Sequence, residues 1–321
     1  MKVIVDAFGS DNPSAVIKGV AKAIKNIPNI EIVISGDAEI ISNTLKNEEF
    51  DNTRLEILDA KEVITNNDNP TMALLQKKDS SLLKAYKRLK NDDNCIALIS
   101  AGNTGAVIAG SVIILGKVKD VERPTLATIL PTINNKLTLL LDCGANVDCK
   151  PHQLLTFAKL GANYLETNYN ISTPKVALLS VGTEDKKGNA LTKETFNLLK
   201  ESNLNFVGNM EAKTILSGEV DVIVCDGFAG NTMLKAIEGV SSTVLKTFVG
   251  LLKKHSFDNT DFKFVNNAVA DFMKIYDFNS LGGAVILGVN KLVIKTHGSS
   301  NENTIVNAVK QAIQNGINII K

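Results

Sequence analysis

The chain has 321 residues, 44% of them apolar and 21% charged, with 35 Lys and Arg against 34 Asp and Glu. That length can bury a large core, and a net charge of +1 supplies no global field for gathering nucleic acid. No stretch has the apolar length of a membrane span; the four cysteines lack the pairing or His spacing of a zinc site, so a metal site is not expected, and no other cofactor is expected either.

Taken in chain order, short β-rich runs end in Gly, Asp or Asn and lead into helical patterns. The first, "VIVDAFGSDNP" (3–13), has only three consecutive apolar residues before Asp6, too few for a secretory leader, which predicts a cytoplasmic protein. Asp6 can orient a donor or simply fix the turn, and a helix is expected from Pro13 to Ala23. "IEIVISGDAE" (30–39) reads as the next strand. The loop "NNDNP" (66–70) introduces a helix from about Asn69 to Lys90, whose Lys77, Lys78, Lys84, Lys87, Arg88 and Lys90 form a solvated face or a local basic patch.

"CIALISAGNTGA" (95–106) ends a strand at Ser100 and opens a helix over Thr104 to Leu115. Gly102 allows close approach, and Asn103 and Thr104 bring polar groups to the helix start. That arrangement can hold a phosphate, or can be no more than a capped, tightly turned helix. "LTLLLDCGANVD" (137–148) precedes a helix over Pro151 to Leu165, and "KVALLSVGTEDKKGN" (175–189) one over Ala190 to Glu201. In the latter loop Lys187 is a cation at the expected ligand edge, suited to phosphate or a developing oxyanion, with a solvated charge run as the alternative.

"VDVIVCDGFAGN" (220–231) repeats the strand-to-turn theme. Asp142 and Asp226 read as braces for their turns, whereas the amides of Asn146 and Asn231 can donate to an oxyanion without adding charge. From Asn231 to about Ser280 no strand is evident. Val244, Leu245, Phe248, Val249 and Leu252 form an apolar stripe beside lysines, so a helical hairpin over about 231–280 is expected. It is buried by the core or a second subunit, or its tip over 244–273 meets a membrane surface. The last strand, in "KLVIKTHGSSN" (291–301), stops before His297, Gly298 and Ser299 and opens a helix over Asn301 to Ile320. His297 can donate to an anion, move a proton, or cap the strand end structurally.

Strands apolar on both faces with helical crossovers predict an α/β fold with a mainly parallel sheet, its ligand edge at the carboxyl ends. The chain reads as one elaborated domain over 1–321 with the hairpin as an excursion. It contains neither a G-x-S-x-G elbow nor a P-loop. Several phosphate-fit turns without an evident protein nucleophile suggest that phosphate itself is a reactant, with the protein supplying proximity and oxyanion stabilisation.

The ordered segments "VDAFGSDNP", "SAGNTGA", "ERPTLATILPT", "LLLDCGANVDCKP", "VGTEDKKGN", "GNMEAKTILSGEVDVIVCDGFAGN" and "LGVNKLVIKTHGSS" resemble bacterial phosphate acyltransferases over nearly the whole chain. The resemblance implies a doubly wound three-layer α/β/α fold similar to isocitrate and isopropylmalate dehydrogenases and phosphotransacetylases. It also implies a metal-free homodimer, peripheral contact with the inner face of the cell membrane, and transfer of an acyl group from acyl-acyl carrier protein to inorganic phosphate for phospholipid synthesis. By matching segment, Asn103, Thr104, Lys187, Asn231, His297 and Ser299 are expected to line the phosphate and thioester cleft, with Gly102 and Gly298 beside them. Two departures are Phe8, Ser10 and Asn12-Pro13, where the family pattern reads "DAMGGD" followed by Ala-Pro, and Val285-Ile286 in place of Pro-Leu. A phosphotransacetylase using acyl-CoA and a non-catalytic carrier-protein or membrane scaffold are the alternative functions.

Overall fold

The computed structural model describes residues 1–134, 136–254, 267, 269, 272 and 282–319. Its strands are β1 (Lys2–Asp6), β2 (Glu31–Gly36), β3 (Leu55–Asp59), β4 (Cys95–Ser100), β5 (Thr125–Leu130), β6 (Thr138–Leu141), β7 (Lys175–Ser180), β8 (Asn205–Glu211), β9 (Val222–Val224), β10 (Ala284–Leu287) and β11 (Leu292–Lys295). The helices are α1 (Pro13–Asn26), α2 (Ala38–Leu45), α3 (Pro70–Gln76), α4 (Ser81–Asn91), α5 (Thr104–Gly110), α6 (Pro151–Tyr169), α7 (Ala190–Lys200), α8 (Gly227–Lys254) and α9 (Glu302–Ile319).

Runs such as Val3-Ile4-Val5 and Ile32-Val33-Ile34 are apolar at successive positions, so each strand needs cover on both faces. The sheet provides it by lying between two helical layers, in the order β3-β2-β1-β4-β11-β10-β5-β6-β9-β7-β8. Side chains alternate between the two cores. Val3, Val5, Ile99 and Ile294 pack with α1, α2, α6, α7 and α9, while Ile4, Leu98 and Val293 pack with α3, α4, α5 and α8. This is the expected doubly wound α/β/α sandwich. Both flanks of the sheet are parallel, but β10 runs antiparallel to β11 and β5, and β5 antiparallel to β6.

Several expected elements are redrawn. The helix expected over Asn69–Lys90 breaks between Gln76 and Ser81, where Asp79 N–H donates to Glu62 Oε2 (2.8 Å) and Ser81 N–H to Glu62 O (3.1 Å). The break re-aims the chain so that Ser81 Oγ donates to Asp6 Oδ1 at 2.6 Å. The helix expected from Thr104 to Leu115 is α-helical to Gly110 and passes into a π-turn over Ser111–Leu115. There the hydroxyls of Tyr86 and Ser111 meet at 2.9 Å, and Ser111 Oγ donates to Val107 O at 2.9 Å. Strands β3, β5, β8 and β10 and helix α2 were not anticipated. Of the expected hairpin, α8 is observed, and all but residues 267, 269 and 272 of its return arm lies outside the described residues.

Candidate active site at the carboxyl ends of the strands

The central strands deliver their carboxyl ends to a cavity of about 880 Å³. One wall comes from the turn after β4 (Ala101, Gly102, Thr104), another from the end of β11 and the turn beyond it (Lys295 to Ser299). Cys143 and Gly144 after β6 and the first turns of α8, from Asn231 through Lys235 and Glu238, face them.

Each wall has a local cause. Asn103 is the N-cap of α5, its Oδ1 accepting from Ala106 N–H at 3.0 Å while Nδ2 donates to Thr65 O at 3.2 Å. The cap leaves Gly102 and Thr104 on the cavity, and Gly102 N–H donates to Ser100 Oγ at 3.1 Å. The start of α8 is pressed onto the turn after β6. A Cβ on Gly230 would stand 1.9 Å from Asp142 O, so only glycine permits this approach. Asp226 holds the start of α8 by accepting from Ala229 N–H at 2.8 Å. Asp142 is fully buried and accepts from the N–H groups of Leu126 (3.1 Å), Ala145 (3.0 Å) and Asn146 (2.6 Å). Burial pushes its carboxyl up while these bonds oppose the shift. Asn146 is a brace too, its Nδ2 donating to Pro124 O and Asp142 Oδ2, both at 2.8 Å.

His297 is exposed at the cavity rim. Its Nδ1 accepts from Ser299 N–H at 3.2 Å and lies 2.7 Å from Ser299 Oγ. An Nδ1 that accepts from a backbone N–H leaves the neutral ring's own proton on Nε2, free to donate to an anion. Asn231 is half-buried against Gly144, and among the described residues its amide makes no hydrogen bond.

The structure therefore gathers Gly102, Thr104, Asn231, His297, Gly298 and Ser299 around one cavity. Asn103, Asn146 and Asp226 hold its walls from behind. Asp6 lies behind the β4 wall, accepting from Ser81 Oγ and, at 2.7 Å, from Ser100 Oγ. Desolvation raises its carboxyl to about 6 against the lowering effect of these two hydroxyls. Lys187 does not line the cavity; it is exposed in the loop after β7, with Nζ 4.0 Å from Glu184 Oε1. Among the described residues, the cations that do line it are Lys235 and Lys295, accompanied by the carboxylates Asp11 and Glu238. Sequence reasoning missed Lys295, although a lysine closing the otherwise apolar Leu292-Val293-Ile294 run was a usable signal. Desolvation lowers its ammonium to about 8, opposed by the fields of Asp6 and Asp11 and assisted by Lys235.

Residues 1–318 match the family described as "Fatty acid synthesis protein". The chain is 44% identical over 321 residues to a phosphate acyltransferase from Clostridium novyi, covering 99% of this chain and 96% of that protein. It is 43% identical over 314 residues to a phosphate acyltransferase from Clostridium acetobutylicum, covering 98% and 94%. Among solved structures, the EutD phosphotransacetylase from Staphylococcus aureus superposes with a TM-score of 0.62 at 15% identity, over 98% of this chain and 94% of that one. A 4-hydroxythreonine-4-phosphate dehydrogenase from Klebsiella pneumoniae gives 0.57 at 12% identity, over 98% of each chain. These structural likenesses speak for the fold alone. The family match over nearly the whole length, joined to relatives above 40% identity, makes the chain a member of the phosphate acyltransferase family.

Proposed function

We propose that this protein transfers an acyl group from the thioester of acyl-acyl carrier protein to inorganic phosphate, making acyl-phosphate for phospholipid synthesis. Two glycine-bearing polar turns, Gly102 to Thr104 and His297 to Ser299, border one cavity, and among the described lining residues no cysteine is poised as a nucleophile. This observation carries the reading. The thiol among the described lining residues, Cys143, is buried, donates to Leu140 O at 3.1 Å and is pushed well above its ordinary range by desolvation.

In the proposed step an oxygen of hydrogen phosphate attacks the thioester carbonyl carbon. The carbonyl π electrons move to oxygen, and collapse of the tetrahedral intermediate breaks the C–S bond. The proton of hydrogen phosphate ends on the departing sulfur, so atoms and charge balance without a cofactor. The α5 start and the Gly298–Ser299 turn hold the phosphate. The amide of Asn231 and the Nε2–H of His297 donate to the oxyanion, which is worth about 10²- to 10³-fold per donor in such sites. Lys187, exposed and off the cavity, has no part in this scheme.

The working form is a homodimer in the cytoplasm touching the membrane through the hairpin. The exposed Val240, Val244, Phe248 and Leu251 on α8 support an apolar contact there, as either subunit or lipid surface. Among the described residues no helix is long and apolar enough to cross a membrane. The test supplies ¹⁸O-labelled phosphate with acyl-carrier protein or acyl-CoA and traps product with hydroxylamine. Labelled acyl-phosphate formed preferentially from the carrier-protein donor is expected. Preference for acyl-CoA would make the enzyme a phosphotransacetylase, and absence of acyl-phosphate would leave a binding scaffold.

A further inference from the structure

Lys295 ends a strand that is otherwise apolar, and its register is informative. Asp6 on β1 pairs with Ser100 on β4, and Ser100 pairs with Lys295 on β11, so the three occupy one row across the middle of the sheet. The alternation of their strands turns all three toward the α4, α5 and α8 layer. Within the row Ser100 Oγ donates to Asp6 Oδ2 at 2.7 Å, and Gly102 N–H of the cavity wall donates to Ser100 Oγ. At the open end Lys295 lines the cavity, with Nζ donating to Thr296 O.

This ammonium is incompletely matched. Among the described residues it forms no ion pair within 4.0 Å. Asp6 is two strands away, about 10 Å at ordinary strand spacing. Coulomb attraction falls with distance, so a carboxylate there offers about a third of what an anion at about 3 Å would. The neighbouring residue adds a second, independent sign. Thr296 also lines the cavity, is 1% exposed, and among the described residues its Oγ1 has no hydrogen-bond partner. A desolvated cation and an unsatisfied buried hydroxyl, adjacent in the chain and on one cavity wall, are both costly unless a polar ligand completes them. Among the described residues, the other charged or titratable groups bordering this space are Asp11, Lys235, Glu238, His297 and Cys143.

We propose that Lys295 is a phosphate-binding residue of this site, taking the charge of the incoming acyl acceptor, and that Ser100 and Asp6 are positioning residues behind it. The inference rests on the reading that free phosphate is that acceptor. It places phosphate deep at the end of β11, below the turn that carries His297 and Ser299.

The test compares wild type with Lys295→Met and Lys295→Gln. A rise of at least tenfold in KM for phosphate, with KM for the acyl donor within twofold, is expected. So is loss of most of the rise in melting temperature that inorganic phosphate alone gives the wild type. An unchanged KM for phosphate overturns the proposal. If the variants do not fold, wild-type enzyme is trace-methylated with formaldehyde and cyanoborohydride, with inorganic phosphate or with chloride at equal ionic strength, and mapped by mass spectrometry. Modification of Lys295 is expected to fall at least threefold in phosphate, and equal modification overturns the assignment. Failure of the wild type to make acyl-phosphate overturns the proposed function instead. The two failures are therefore distinct.

Discussion

Cys143 borders the cavity, yet a thiol pushed well above its ordinary range by burial is a poor acyl acceptor at neutral pH. Cys143→Ala is therefore expected to keep acyl-phosphate formation within about threefold of wild type, at a stability cost of about 1 kcal/mol for the lost sulfur contacts. Steady-state rates and urea unfolding check both halves, and a collapse of turnover without unfolding would point to an acyl-enzyme. Asn231→Ala and His297→Ala remove donors rather than a nucleophile, so each is expected to lower kcat by about 10²-fold with little change in melting temperature. Lys187→Ala is expected to retain kcat and KM, because its exposed ammonium lies off the cavity, and a loss of either without unfolding would bring Lys187 into the mechanism. At this scale the sequence revealed the turns because Gly, Asn, Ser and His advertise their chemistry locally. It hid Lys295, whose importance comes from a register row with Ser100 and Asp6, residues about 200 and 290 positions away.

Among the elements, the start of α8 depends most on a single contact. Because a Cβ at position 230 would fall 1.9 Å from Asp142 O, Gly230→Ala must lift the helix off the turn after β6. Asn231, the next residue, moves with it. The expected result is a loss of about 2–3 kcal/mol from overpacking together with at least a tenfold fall in kcat. Melting temperature and turnover read the two effects, and an unchanged enzyme would mean that the helix start has room the contact denies. Helices with clear apolar periodicity, such as α1 and α6, were legible to within a few residues. The break between α3 and α4 was not, because it is made by Glu62, which lies outside that stretch of sequence and binds both Asp79 and Ser81. Strands β5 and β10 escaped for a related reason. They pair antiparallel at the sheet centre, so no crossover helix joins them to the next strand.

Across the whole molecule, the doubly wound architecture was readable because strands apolar on both faces leave no other economical arrangement. The position of β11 between β4 and β10 was not, since a strand from the end of the chain returns to the middle of the sheet. That return places a buried acid and a desolvated lysine in one central row, which couples the stability of the whole sheet to pH. Asp6 is raised from 3.8 to about 6, so between these values the folded chain holds a proton that the unfolded chain has released. Stability from this group is therefore greatest at low pH and falls as pH rises through about 6, by about 3 kcal/mol in all. Lys295 is lowered from 10.5 to about 8, so between 8 and 10.5 the unfolded chain holds the extra proton and stability rises with pH. Asp6→Asn abolishes the first titration while keeping an acceptor for one of the two serine hydroxyls. Urea unfolding from pH 4 to 7 is expected to show wild type losing about 2 kcal/mol relative to this variant, and parallel profiles would mean that Asp6 is not held protonated inside the sheet.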